Sequence, residues 1–370
     1  MAYLSARSVD CVVARGRTAL LCLAGLATLG SGVLLFSQQE TVASEEPIHT
    51  LHVYANLIQI PTLVLDSKWR RLKAPIPESR FSISIDSGPW FRATHVRQEG
   101  DDPISLAILL DVGGESSKLM PKIAEAIGGL APDSLHSKDH VTIYALDCSL
   151  MRSLNDVPAG SARLKVGVDA ALESWKTRQG AAQHCKQTVH LWDALAFVTS
   201  ELSKLPGRRV ILAVSDGYDK GSTHSWNEVR AYAETKGTAV FGLTYIPSES
   251  GISSTSEILR WTSENAFHSI CELSGGVVSL SSPSALTFTL ERIVTMVRER
   301  YIVEFPRPAN ATSGVHSQEV RIAKGNYFIR PAGSSFPIPD PAVLADPTTV
   351  KSDPSLTPEQ GKRKPMDKPQ

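Results

Sequence analysis

Two aspartates carry the first chemical clue in this chain. Ser105–Met120, SLAILLDVGGESSKLM, begins with an apolar run, ends it on Asp111 and turns through Gly113-Gly114. Further along, Arg209–Val214, RVILAV, ends in Ser215-Asp216-Gly217. A short continuous apolar run bounded by a glycine turn reads as a strand buried in a parallel sheet. A carboxylate at the carboxyl end of such a strand stands where open α/β sheets bind their ligands. Acidic groups crowded on one rim repel, so they need a counter-charge or a raised pKa. The plain alternative is that each aspartate caps its own strand-to-helix turn by accepting backbone N–H groups.

Other reactive residue types form no catalytic pairing. Cys148 has no histidine placed beside it by spacing and reads as a structural thiol or as half of a Cys148–Cys185 disulfide. His190 and Asp193 fall near the same rim, where a lone histidine at a helix start reads as a capping or surface residue. Asp111-Val-Gly-Gly would suit a phosphoryl-accepting aspartate, but Lys220 is only a loose candidate for its partner. The GxxxxGK[ST] phosphate loop is absent, and no cysteine–histidine spacing suits zinc. With no nucleophile paired to a base, the residues point away from an enzyme.

The elements that must position the two aspartates follow from pattern. From Ile104 the chain alternates strand and helix: strands at Ile104–Leu110, Val141–Leu146, Arg209–Val214, Thr238–Tyr245 and Val277–Leu280, and helices near 116–128, 161–176, 191–205, 225–236, 257–273 and 283–300. Ser225-x-x-Glu228 is a capping box, and Pro283 is placed as the first residue of the last helix. This alternation predicts an α/β fold, a doubly wound, mostly parallel sheet with helices on both faces. Before it, residues 48–100 carry a β pattern, with a hairpin signal at Ser87-Gly88. After it, Tyr301–Phe305, Val315–Ile322 and Tyr327–Arg330 read as strands that pair with that earlier segment, because both ends of an inserted domain emerge close together.

The domain boundaries are therefore 1–44 for an export segment, 45–101 for an amino-terminal β segment, 102–300 for the α/β domain, 301–332 for a second β segment, and 333–370 for a disordered Pro-rich tail. In the export segment Arg7, Arg15 and Arg17 precede Thr18–Phe36, nineteen residues without a charge. It reads as a signal peptide cut after Val42-Ala43-Ser44, or as an anchor retained at residues 18–36. Either places Glu45 onward in the periplasm or outside the cell. Of five cysteines, Cys11 and Cys22 belong to that segment, and Cys271 lies on the apolar face of a helix as a small core residue. The 370 residues balance 38 basic against 38 acidic side chains, so no electrostatic case exists for nucleic acid.

The ordered set of these segments resembles a von Willebrand factor A (VWFA) domain. It is carried by the strand ending in Asp111, by Leu191-Trp-Asp-Ala-Leu195 opening a helix, and by Gly207-Arg-Arg-Val-Ile-Leu-Ala-Val-Ser-Asp-Gly217. Leu273-Ser-Gly-Gly276 and Val297-Arg-Glu-Arg-Tyr-Ile-Val-Glu-Phe305 are similar to the exported bacterial proteins called VWFA-related, common in acidobacteria. The likeness covers about residues 102–305. It implies a protein ligand bound through a metal-ion-dependent adhesion site (MIDAS) with the pattern Asp-x-Ser-x-Ser, a Thr and an Asp.

Here that pattern is degenerate. Asp111 and Asp216 match the aspartates, but Gly113 and Glu115 replace the serines, and Val189 falls at the threonine position with Thr188 one residue early. If a Mg2+ or Mn2+ ion is held, Asp111, Glu115 and Asp216 would supply carboxylates, with Ser116, Ser117 or Thr188 as substitutes in the six-oxygen shell. The resulting expectation is a non-enzymatic exported protein of the bacterial envelope that serves adhesion or protein binding. Its partner would dock on loops 112–117, 184–191 and 216–224. The alternatives are a metal-dependent hydrolase or phosphate-binding protein using Asp111 and Asp216, or a structural envelope protein with a decayed site.

Overall fold

The computed structural model describes residues 57–147, 149–179, 190–247, 265–308 and 312–336. The export segment, the start of the amino-terminal β segment, Cys148, Cys185, Thr188, Val189, the early part of the helix expected at 257–273, and residues 337–370 of the expected tail lie outside the described residues.

The central sheet has six strands. In chain order they are β5 (Ile104–Asp111), β6 (His140–Leu146), β7 (Leu150–Pro158), β8 (Arg208–Val214), β9 (Thr238–Tyr245) and β10 (Val278–Ser281). Their order in space is β10-β9-β8-β5-β6-β7, all parallel except β7, which runs antiparallel to β6 at the edge. The expected doubly wound fold is therefore present, and the order reverses between β5 and β8. Ser149–Val157, which the sequence reads only as a short extended piece, holds this edge strand.

Every residue of β5 is buried because both faces of the sheet are covered. Leu106, Ile108 and Leu110 face one layer, with Ile123 and Ile127 of α1 (Met120–Gly128), Leu164 and Val168 of α2 (Ser161–Ala171), and Ile293 and Val297 of the helix Leu286–Arg298. Ala107 and Leu109 face the other, with Leu191, Leu195 and Val198 of α4 (Leu191–Leu202), Val229 of α5 (Trp226–Thr235), and Phe267 and Ile270 of α6 (Ala266–Leu273). Cys271 is buried in that second layer.

Several boundaries differ from the sequence pattern. The helix expected from 116 begins as a 3-10 turn at Glu115–Leu119, because Pro121 can enter only the first turn of α1. The helix expected over 161–176 breaks at Leu172 into α2 and α3 (Glu173–Gln179). Pro283 lies in the turn before the last helix, α7, which starts at Leu286. The capping box on α5 is formed as predicted, with Ser225 Oγ accepting from the Glu228 amide and the Glu228 carboxylate accepting from the Ser225 amide.

The remaining strands form small antiparallel sheets. β1 (Leu57–Asp66) pairs with β11 (Tyr301–Pro306) on one side and β14 (Tyr327–Pro331) on the other, and β11 also pairs with β4 (His95–Gln98). A second sheet joins β13 (Gln318–Ile322), β2 (Phe81–Ile85) and β3 (Phe91–Arg92). The expected hairpin arm splits at Ala93-Thr94, so that β3 stays with β2 while β4 crosses to β11. Residues 314–315 and 335–336 form a further two-stranded pair, β12 with β15, so the tail expected to be disordered from 333 is ordered as far as Phe336, whose ring is buried in the β module. The run Leu63-Val64-Leu65 is apolar throughout for a physical reason. Leu63 and Leu65 face the α/β core, whereas Val64 faces the β module with Ile60, Phe81, Ile83 and Phe305.

The chain enters and leaves the α/β domain at one point. Glu99 and Arg300 meet there, the Glu99 N–H donating to the Arg300 carbonyl at 2.7 Å. Their side chains make a two-pronged ion pair at 2.7 and 2.9 Å, with Arg300 only 1% exposed. Removing one partner of a buried pair strands the other charge and costs about 3–5 kcal/mol. Urea unfolding of Glu99→Ala is expected to show a loss of that size. The half-exposed Arg71–Glu299 pair, broken by Arg71→Ala, should cost less than about 1 kcal/mol.

Candidate functional site

The rim is built where the strand order reverses. β5 and β8 are neighbours in register, Leu110 opposite Val214, so Asp111 and Ser215 leave the sheet side by side. Asp111 is 2% exposed. Its Oδ2 accepts from Ser215 Oγ at 2.7 Å and its Oδ1 accepts from the Gly113 amide at 3.0 Å. Ser215 Oγ in turn accepts from the Gly217 amide at 3.0 Å. One carboxylate thereby ties the first loop to the third.

Asp216 makes the reciprocal tie. Its Oδ2 accepts from the Glu115 amide at 3.0 Å and its Oδ1 accepts from the Tyr218 amide at 3.1 Å. Gly114, at φ +54°, packs directly against that carboxylate, and a Cβ there would overlap Asp216 Oδ2. The Asp216 carbonyl accepts from Asn265 Nδ2 at 3.0 Å, while Asn265 Oδ1 caps α6 by accepting from the Phe267 amide.

Loop 216–224 also closes over the start of α4. Its N-cap residue, His190, makes no capping bond, and the role passes to Asp219, whose Oδ1 accepts from the Trp192 amide at 3.0 Å. Ser222 Oγ donates to Asp219 and accepts from the Asp193 amide. Asp193 reaches back, accepting from the amides of Thr223 and His224 and from His224 Nδ1. Burial opposes ionisation of Asp193, but these hydrogen bonds outweigh it and hold the carboxyl below the usual range. Ser215, Asp219, Ser222 and Asn265 were not singled out from the sequence. Their signal was the density of Ser, Asp and Asn after β8, residues that bond nearby backbone in turns.

The other predicted residues divide. Glu115 contributes its amide to the rim, but its carboxylate turns outward to pair with Lys118, whose ammonium lies 4.9 Å from the centre of the Tyr245 ring. Ser117 Oγ donates to the Gly114 carbonyl at 2.7 Å. Ser116 Oγ is buried and has no hydrogen-bond partner. Trp192 is buried in the α4 layer.

As arranged, the described rim residues are engaged with the loops rather than gathered as a cage for a divalent cation, and the second loop, with Thr188, lies outside the described residues. All four carboxylate oxygens of Asp111 and Asp216 accept hydrogen bonds from within the two loops, and the third carboxylate has turned away. Among the described residues no group of three or more His, Cys, Asp or Glu could hold a metal ion.

Burial pushes the Asp111 carboxyl up to about 6, with the nearby Asp216 charge adding to it, against the lowering effect of the Ser215 and Gly113 hydrogen bonds. A folded-state pKa above the ordinary 3.8 means that the fold holds a proton that the unfolded chain releases. The stabilising contribution is full below pH ~4 and lost as pH rises through ~6, a loss of about 3 kcal/mol. The carboxyls held low, such as Asp193, act in the opposite direction and at lower pH. Unfolding free energies between pH 4 and 7.5 should therefore fall with a component that Asp111→Asn removes. Equal pH slopes in the two proteins would contradict this assignment.

No protein-family model matches the chain, and no curated protein matches it. Solved structures do. The chain is similar to BatB from Bacteroides thetaiotaomicron at 19% identity over 52% of this chain and 98% of that one, with a TM-score of 0.33. It is similar to proximal thread matrix protein 1 from the mussel byssus, solved with a zinc-occupied MIDAS motif, at 12% identity, 54% and 49% coverage, and a TM-score of 0.37. A pilus adhesin, SpaC from Lactobacillus rhamnosus GG, is matched at 9% identity, 71% and 48% coverage, and a TM-score of 0.38. The chain thus spans about half the length of the byssus and pilus proteins.

Proposed function

We propose that this chain is an exported, VWFA-like protein of the bacterial envelope that captures another protein on the rim above β5 and β8, without catalysis. The carrying observation is Tyr218. Its amide is fixed by Asp216, yet the residue is 61% exposed. An aromatic side chain on a pinned backbone has little ordering entropy left to lose, and such residues dominate protein interfaces. Around it the rim carries the Glu115–Lys118 pair against Tyr245, the exposed His224, and Trp226 at 38% exposure.

The same geometry supports docking that needs no cation, because the aspartates serve the loops. It adds nothing to the hydrolase or phosphate-binding reading, since each oxygen of both carboxylates already accepts a hydrogen bond from the loops. Export rests on residues 1–44. Among the described residues no helix is long and apolar enough to cross a membrane; residues 18–36, outside them, are the proposed anchor or signal core.

Asp111→Ala or Asp216→Ala would loosen the rim itself, so a surface change is the cleaner probe. Crosslinked pull-downs from envelope extract should lose about tenfold in partner yield with Tyr218→Ser, at unchanged circular dichroism. Recovery of the same proteins at the same yield would place docking elsewhere.

A further inference from the structure

A cavity of about 350 Å3 lies at the opposite, amino-terminal edge of the parallel sheet. It opens where β8 begins and α5 ends, and the β module supplies its other wall, including Gln59 of β1 and Gln318 of β13. Its size falls within the range of small-ligand sites. Arg208, Arg209, Lys236 and Arg300 line it, and no carboxylate side chain does.

Two of these cations are neutralised from behind. Arg300 is paired with Glu99, and Arg208 stands 3.9 Å from Glu99 and 3.6 Å from Asp102 while donating to Gln59 Oε1 at 2.7 Å. The other two are not. Arg209 is half-buried and bonds only backbone, donating to the carbonyls of Leu205 at 3.2 Å and Lys236 at 3.1 Å. It has no ion-pair partner among the described residues, and burial disfavours its charge. Lys236 has its ammonium 5.5 Å from the Tyr232 ring centre and neither a side-chain hydrogen bond nor an ion pair among the described residues. The end of α5 offers only about half a negative charge. A partly desolvated guanidinium with five N–H donors, lining the same cavity as a residue with an unpaired ammonium, lacks an acceptor of matching charge.

We propose that this cleft binds an oxyanion, a phosphate or carboxylate group carried by a small ligand, through Arg209 and Lys236. The ligand would touch the α/β sheet and the β module together, so it would stabilise the folded chain by mass action. The site is separate from the rim and stands or falls without it.

The test is calorimetric titration and thermal unfolding of the purified chain with inorganic phosphate and with citrate, at constant ionic strength against chloride. Saturable binding and a raised melting temperature are expected with at least one anion. Phosphate alone would assign a phosphate ligand, citrate alone a carboxylate ligand, and both a site that reads charge. Lys236→Gln removes no hydrogen bond of the fold and should weaken binding about tenfold, with Arg209→Gln acting in the same direction. If Arg209→Gln fails to fold, Lys236→Gln decides. No saturable binding tighter than about 10 mM, or binding unchanged in Lys236→Gln, would overturn the proposal.

Discussion

The hydrogen bond from Ser215 Oγ to the buried Asp111 carboxylate is the constraint on which the rim depends. It joins the ends of two parallel strands at the point where the strand order reverses, the place where such sheets leave a crevice. An ionised carboxyl at that depth is costly unless hydrogen-bonded. The fold meets the cost with one hydroxyl and one amide, and Asp216 repeats the device with two amides of the facing loops. Burial of Asp111 and rigidity of the loops are therefore one fact seen from two sides. The same hydrogen bonds that make an acid tolerable there occupy one lone pair on each of its oxygens.

The cost is visible in the raised Asp111 pKa, which marks residual strain in the electrostatics of the crevice. It is offset by what the rim gains. Asp216, Asp219 and Asp193 bind amides of both facing loops and of α4, so a surface made of loops behaves like part of the sheet. On the proposed reading, this hydrogen-bonded surface presents its exposed tyrosine to a macromolecular partner. At the other edge the constraint is of a different kind. The Glu99–Arg300 pair clamps the two chain crossings between module and sheet and leaves Arg209 and Lys236 in a cleft with no carboxylate of their own.

Much of the fold was legible because β5, β8 and β9 are apolar on both faces, a pattern that only a doubly covered sheet requires. The capping box at Ser225 and the core position of Cys271 were legible for similarly local reasons. What escaped was non-local. The split of the hairpin at Ala93-Thr94 depends on β11, two hundred residues on in the chain, as a second partner. At the rim, Asp111 and Asp216 could be placed from their strands, and the structure sets them together. Glu115 could not be resolved, because the outward turn of its carboxylate follows from Lys118 one helical turn later and from the positive φ of Gly114. Asp219 capping a helix that begins before it in sequence has no spacing rule to reveal it.

The central claim is that the rim aspartates hold the loops rather than a cation. Calorimetric titration of the purified chain with Mg2+ and with Mn2+ at neutral pH tests it most directly. The account predicts no saturable heat at ion concentrations up to a few millimolar, roughly where oxygen-ligand sites of moderate affinity are filled. Saturable binding that Asp111→Ala or Asp216→Ala abolishes would contradict it.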